Sequence, residues 1–325
     1  MNWSQILSNT ASFMLSPETI GFMLAALGLA VHFGYAGLLN FGVAGFMAVG
    51  AYSYAISILT FGLPWWAALF VSIAAAVVFA LILGIPTLRL RADYLAIVTI
   101  AAAEIVRLLF QTQLFDEYTG SADGLSGYHA GFRAANPLPA GSYGLGPWTY
   151  TSDQWWVRIF GLSLVVLAAL VVWLLMRSPW GRVLKGIRED EDAVRSLGKN
   201  VFLYKMQALM LGGVLGALGG VVIALPASVI PQYYLPSLTF FVWTALLLGG
   251  AATIFGPILG AVLYWGIMAF LSGFLPALAA QGWLPLTASQ AGSLRYILVG
   301  VILMLVVAFR PQGILGSKKE MTFVK

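Results

Sequence analysis

Long apolar runs separated by short polar segments dominate this chain. Nine of the runs approach the ~20 residues that a helix needs to cross a bilayer core of about 30 Å. They cover residues 20–38, 42–59, 65–85, 94–111, 155–176, 206–226, 237–251, 257–276 and 294–309. The pattern predicts an all-α, polytopic membrane bundle of about eight to ten transmembrane helices, folded as a single domain over residues 1–325.

Some of these runs are poorly suited to a continuous helix. The junction 38–46 is short, and the run 237–251 is short and ends in glycines. Both are expected to be broken or re-entrant helices, which membrane proteins tolerate where the backbone is buried in protein. Residues 3–15 predict a short amphipathic helix in the membrane interface. Close helix packing of the small-xxx-small kind is predicted at Gly212, Gly216 and Gly220.

Composition strengthens the membrane prediction. Of the 325 residues, 60% are hydrophobic and only 9% are charged, against about 25% charged in ordinary soluble domains. This excludes a soluble globule, a disordered chain and a nucleic-acid binder. There is no cysteine and there are two histidines, so neither a metal site nor a cofactor is expected.

The distribution of Lys and Arg predicts the orientation. The segment 177–205, called the basic segment below, carries seven basic residues, and cytoplasmic loops are enriched in such residues. With this segment inside and the spans alternating, the N-terminus falls outside and the C-terminus falls in the cytoplasm. Thirteen of the seventeen basic residues are then cytoplasmic, including Arg89, Arg91, Arg310, Lys318, Lys319 and Lys325.

The outer loop 112–154 is rich in Gly, Pro and aromatic residues. At more than forty residues it is too long for a plain connector. Two interpretations stay open for it: an ordered aromatic cap, or a docking surface for an external partner.

The basic segment predicts one amphipathic helix. Ser178 and Pro179 form a start signal, and Gly198 forms a stop signal. Ile187, Val194 and Leu197 fall near one face, and opposite charges four residues apart are expected to pair as Arg188–Asp192 and Glu191–Arg195. The helix is either a solvated interfacial helix or a knob that inserts into a groove on a cytoplasmic protein.

Glu104, Arg107 and His32 are ionisable residues within predicted spans. Glu104 and Arg107 are three residues apart, so an ion pair is predicted. A structural pair or helix clamp is favoured over a polar point on a solute path, although intramembrane charges are functional candidates. For His32, a hydrogen-bonded packing role is favoured over a proton relay.

Several segments resemble the branched-chain amino acid type of ABC-importer permease, the LivM-like family. The basic segment resembles that family's cytoplasmic coupling segment, and the resemblance covers residues 20–316. The other matching pieces are NFGVAGFMAVGAY (40–52), LRLRADYLAIVTIAAAEIVR (88–107), TGSADGLSG (119–127), GGAATIFGPILGA (249–261) and FRPQGILG (309–316). Departures at Ala92, Ala102, Ala103, Ser121, Ala251 and Ala252 leave the fold expectation intact and the solute open.

The resemblance implies a multi-subunit importer in a bacterial or archaeal cytoplasmic membrane. Its other parts would be a second homologous permease, two ATPase subunits and an external solute-binding protein. This chain has no phosphate-binding loop motif, so if ATP drives transport, another chain must bind the ATP. The ATPase-coupling role carries over to Arg182, Gly186, Ile187, Arg188, Glu189, Asp190, Glu191 and Asp192.

The function expected is passage of branched-chain or related small aliphatic amino acids into the cell, with no chemistry in this chain. A urea- or short-amide-type permease is the nearest alternative. A stand-alone secondary transporter or channel needs ion-coupling carboxylates or a polar pore, for which Glu104 is nearly the sole candidate. An intramembrane enzyme is excluded because no catalytic constellation is found.

Overall fold

The computed structural model describes residues 2–89, 92–283, 287–310 and 312–316. Its elements are α1 (Trp3–Phe13), α2 (Pro17–Leu29), α3 (Val43–Leu59), α4 (Trp65–Thr87), α5 (Ala92–Gln111), α6 (Asp116–Thr119), α7 (Ala130–Ala134), β1 (Ser142–Tyr143), β2 (Tyr150–Thr151), α8 (Ser152–Arg177), α9 (Pro179–Glu189), α10 (Glu191–Ser196), α11 (Val201–Ala224), α12 (Pro236–Gly249), α13 (Phe255–Ala280) and α14 (Ala288–Phe309). The two strands form one short antiparallel pair. Helix α2 continues as a π-helix over Ala30–Tyr35.

Each of the nine predicted apolar runs contains a helix, which confirms the all-α membrane bundle. In the described part of the chain, six helices are long and apolar enough to cross a membrane. Helices α3 and α12 are also apolar but shorter. Local signals set the boundaries: Ser16 caps α2, and Thr151 and Gln154 form a capping box at α8.

The two predicted irregular regions are confirmed. Residues 37–42, between the π-helix and α3, have no regular structure. Helix α12 has only 14 residues and ends at Gly249. Gly250 then adopts φ +121, a conformation that L side chains rarely take, and a turn leads into α13. Both breaks lie within protein, where their backbone groups find partners.

One end of the bundle, called the loop end, gathers α1 and the predicted outer loop. Trp148 donates its indole N–H to Ala11 O at 2.9 Å, which ties the loop to α1. Leu125 and Val229 form an isolated antiparallel bridge, and Tyr128 donates to Ala224 O at 2.8 Å. The 112–154 loop is therefore ordered, as the cap interpretation predicts, while docking of an external partner stays a prediction.

The opposite end, called the basic end, gathers the basic segment, residues 37–42 and the turn after α12. Residues 312–316 join it, since Ile314 and Leu315 donate to Leu248 O and Gly249 O. Successive long helices run alternately between the two ends, as predicted. Which end faces the cytoplasm stays a prediction, and Arg91, Lys318, Lys319 and Lys325 lie outside the described residues.

Helix α11 forms the centre of the bundle and packs against α2, α3 and α4. Its glycines permit this packing, because a Cβ on Gly212 would overlap Gly28 O, and one on Gly219 would overlap Gly21 O. A Cβ on Gly220 would meet Met47 O of α3. The predicted small-residue packing is confirmed at Gly212 and Gly220, where backbones are in direct contact, but not at Gly216, which meets only the Phe46 side chain at an ordinary distance.

Candidate coupling surface and the polar cluster behind it

The basic segment folds as two helices, so the single helix expected from the sequence is wrong. Asp190 has extended backbone angles that end α9. Its carboxylate accepts hydrogen bonds from Asp192 N and Ala193 N, each at 3.0 Å, and so caps α10. The helix start at Ser178 is as predicted, since Ser178 Oγ accepts from Trp180 N at 3.2 Å.

One face of this helix pair is buried against the bundle. Leu184 and Ile187 of α9 and Val194 of α10 are buried, and Gly186 lies against Val194. Trp180 donates to Gln207 Oε1 of α11 at 2.8 Å. The apolar stripe expected at Ile187 and Val194 is therefore confirmed, and it fastens the pair to the bundle.

The other face is exposed and charged. Arg195 binds both Glu191, at 2.9 Å as predicted, and Asp192, at 2.8 Å. Glu191 also binds Lys205 of α11, while Arg182 and Glu189 are exposed. Leu197 was expected on the buried stripe, and this is wrong: α10 ends at Ser196, and Leu197 lies in the turn that follows and is 78% exposed.

Arg188 links the helix pair to α2. Its side chain is only 6% exposed, and it donates to Gly34 O in the π-helix as well as to Glu189 at 2.8 Å. Asp192, its expected partner, binds Arg195. Gly37, at φ +69, packs against the Arg188 side chain, where a Cβ would lie 3.2 Å from Arg188 Cγ. Arg188 and Gly37 thus join α9 directly to the end of the π-helix that continues α2.

Behind this link lies a fully buried polar cluster centred on Asn40. Its side-chain amide contacts His32 Nδ1 at 3.0 Å and its Oδ1 accepts from Gly42 N at 2.7 Å. His32 Nε2 lies 3.1 Å from Leu209 O, so this nitrogen carries the proton and Nδ1 accepts. His32 thus has the hydrogen-bonded packing role that the sequence favoured.

Side chains from two further helices hold the irregular residues 37–42. Thr99 of α5 accepts from Phe41 N at 2.9 Å, and Thr239 of α12 accepts from Ala44 N at 3.0 Å. Trp243 donates to Asn40 O at 3.1 Å. The sequence analysis did not single out Asn40; a buried amide eight residues after the lone span histidine is the signal that points to it.

Glu104 and Arg107 form the predicted ion pair within α5. Arg107 Nε lies 2.8 Å from Glu104 Oε2, and Arg107 Nη1 lies 2.9 Å from Gln111 Oε1. Ser121 of the cap in turn donates to Gln111 O at 2.8 Å. These contacts fit a clamp between α5 and the cap. Within the described ranges, no group of three His, Cys, Asp or Glu is placed to hold a metal ion.

Comparison with known proteins gives a consistent result. The family model for the permease component of branched-chain amino acid transport systems matches residues 15–307. The chain is 30% identical over 331 residues to the high-affinity branched-chain amino acid transport system permease protein LivM of Salmonella typhimurium, covering 96% of this chain and 71% of that protein.

Two relatives with lower identity are also transport permeases. Identity is 26% over 336 residues to the probable branched-chain amino acid transport permease protein LivM of Methanocaldococcus jannaschii, covering 93% and 92% of the two chains. It is 26% over 288 residues to the guanosine ABC transporter permease protein NupQ of Bacillus subtilis, covering 84% of each. All three relatives are transport permeases by name.

Proposed function

The chain belongs to the family of permease components of branched-chain amino acid transport systems, and on that basis we propose that it is the membrane subunit of an ABC importer for branched-chain or related small aliphatic amino acids. The importer resides in the cytoplasmic membrane of a bacterium or archaeon. A second homologous permease completes the pathway, two ATPase subunits drive it, and an external binding protein delivers the solute to the loop end.

The construction of the α9–α10 pair carries this proposal. The pair presents charged side chains and exposed Leu197 away from the bundle, while its other face is anchored to α2 and α11. A surface of this kind is suited to a groove on a separate protein. In this proposal the ATPase binds it at the cytoplasmic side.

The link through Arg188 gives the pair a route to the membrane interior. In this proposal a displacement of α9 pulls on Gly34 O and hence on the π-helix, which also contains His32. π-Helical turns and broken helices are places where a helix changes course. We therefore place the opening and closing of the pathway at residues 37–42, where hydrogen bonds with the side chains of His32, Thr99 and Trp243 converge.

The solute class rests on similarity. The LivM relatives share up to 30% identity with this chain and are named for branched-chain amino acids. The guanosine permease shares 26% over a shorter stretch. The scarcity of charge in the spans also suits an aliphatic solute, which needs few polar contacts on its way.

The test is reconstitution of the chain with its co-purifying subunits in proteoliposomes, followed by solute-stimulated ATP hydrolysis and leucine uptake. Leu197→Asp is expected to abolish both and to release the ATPase subunits, because a charge replaces the exposed apolar contact. Leu145→Asp is the matched control: this leucine is 86% exposed at the loop end, and the variant should keep its ATPase subunits.

Two results would contradict the proposal. One is Leu197→Asp retaining bound ATPase with normal stimulation, which would remove the docking role of α10. The other is leucine uptake by the isolated chain without ATP, which would identify a stand-alone transporter.

A further inference from the structure

A cavity of about 310 Å³ opens at the loop end, where α2 and α11 meet α12 and α13. This volume lies at the lower end of the range of small-molecule sites, roughly 300–1,000 Å³. Its wall is mostly aromatic and aliphatic, with one carboxylate. The residues that define it are Glu18, Phe22, Ile223, Tyr233, Tyr234 and Trp265.

The carboxylate of Glu18 has no partner within the described part of the chain: no hydrogen bond or ion pair joins it to another described residue. Arg158 of α8 interacts with it electrostatically, without forming a hydrogen bond or an ion pair with it. Arg158 instead donates to Gln154 O at 2.8 Å and stacks over the Tyr150 ring at 3.6 Å. Glu18 therefore presents to the cavity a carboxylate whose oxygens have no hydrogen-bond donor among the described residues.

We propose that this cavity binds a small aliphatic amine, including the amino end of an aliphatic amino acid. The ammonium group sits at Glu18, where a charge-assisted hydrogen bond forms. The aromatic side chains of Phe22 and Trp265 in the wall suit a hydrocarbon chain. Tyr233, which is 54% exposed, marks the mouth, so the carboxylate of a zwitterion remains at the solvent side.

The position of the cavity gives such binding a consequence for transport. Its wall takes residues from α2 and α11 on one side and from the α12–α13 part of the bundle on the other. Any change in the angle between these two groups of helices therefore changes the volume and shape of the cavity. This step rests on the proposed function, in which the loop end receives the solute; the binding itself needs neither ATP nor the ATPase.

The test uses the absence of cysteine from the chain. Ser228 also lines the cavity wall, so the variant Ser228→Cys places a single thiol there in the full-length protein. The protein is placed with its co-purifying subunits in phosphatidylglycerol nanodiscs without ATP. The labelling rate by a membrane-impermeant maleimide is then read by mass. Ser142→Cys, at exposed Ser142 in β1 outside the cavity, is the reference.

Three probes separate the chemical requirements. Leucine and 3-methylbutylamine are expected to slow labelling of Ser228→Cys and to leave Ser142→Cys unchanged. 4-Methylpentanoate, which lacks the amine, is expected to give no protection. Adding Glu18→Gln should raise the amine concentration for half-protection about tenfold or more, whereas Glu117→Gln, at an exposed acid of the same end, should not.

Equal protection by 4-methylpentanoate, or unchanged protection in Glu18→Gln, would overturn the proposal. A phospholipid amine is the other source of an ammonium group, so a parallel set of nanodiscs contains phosphatidylethanolamine. If that lipid alone slows labelling and free amine adds nothing in either set, the site is a lipid site and the proposal fails. If leucine protects Ser228→Cys as expected but the reconstituted protein shows no ATP-driven leucine uptake, the result counts against the proposed function and still supports amine binding in this cavity.

Discussion

Replacing Gly212 by alanine tests whether the packing of α2 on α11 depends on a bare backbone at their crossing. A Cβ there would overlap Gly28 O and His32 Nε2. Neither neighbour can move freely, because the first is backbone and the His32 ring is held by contacts to Leu209 and Asn40. Adding a methyl group to a well-packed interior costs about 1–3 kcal/mol.

Gly216, one turn further along α11, provides the matched control. A Cβ at this position would lie 3.4 Å from Phe46 Cβ, an ordinary contact distance. In both variants alanine replaces glycine inside a helix, which stabilises by about 0.5–1 kcal/mol. That contribution cancels in the comparison, so the two variants should differ in free energy of unfolding by the packing cost alone, about 1–3 kcal/mol.

The measurement is unfolding of the purified full-length variants in one detergent, followed by circular dichroism. Gly212→Ala should unfold more readily than the wild type, and Gly216→Ala should match or exceed it in stability. Equal stability of the two variants would refute the argument that backbone contact at Gly212 holds the centre of the bundle.

Three further predictions concern side chains at the basic end and the loop end of the bundle. Arg188→Met should lower the amount of solute taken up per ATP hydrolysed in proteoliposomes, because the link to α2 is lost. Arg195→Met, at an arginine that is 62% exposed, should leave this ratio unchanged. The same ratio of uptake to hydrolysis in both variants would contradict the link. Burial, then the charge of Arg133, lower the pKa of His129 below its ordinary 6.5. The folded state should therefore lose stability as pH drops from about 6.5 toward that lower pKa. In His129→Gln the melting temperature should not show this loss. The same fall of melting temperature with pH in wild type and variant would contradict the prediction. Asp190→Ala should cost about 0.5–2 kcal/mol and speed hydrogen exchange in α10, whereas Asp190→Asn keeps the cap; identical exchange in both would show that something else holds α10.

The helices of the bundle are predictable from sequence because membrane insertion depends on a local property. A run of about 20 apolar residues satisfies its own backbone and fits the bilayer whatever its neighbours are. The nine runs therefore locate the helices to within a few residues. The break at Asp190 escapes the same approach, because Ile187 and Val194 keep helical spacing across it. An aspartate followed by Glu191, Asp192 and Ala193 is nevertheless an N-cap signature that marks the start of α10.

The cluster behind the coupling surface is less accessible to sequence reasoning. Asn40 contacts His32 eight residues away, and it also receives Trp243 from two hundred residues further along the chain. A hydrophobic repeat along one helix does not reveal contacts between positions so far apart in the sequence. The cavity at Glu18 is hidden for the same reason, since its wall is assembled from four helices and the connection before α12. Sequence shows the charge at Glu18, and only the packing shows that no described residue forms a hydrogen bond or an ion pair with it.

The seam between Gly28 and Gly212 also constrains how the chain is made. The span Pro17–Tyr35 is 89% buried in the finished bundle, yet its main neighbour α11 is synthesised about 180 residues later. At about 5–20 residues per second, the ribosome takes roughly 10–40 s to reach it. During that interval α2 exposes its glycine face and His32 to lipid or to the insertion machinery. A nascent chain stalled before α11 therefore carries an unsatisfied polar group in the membrane, a feature by which quality control can recognise it.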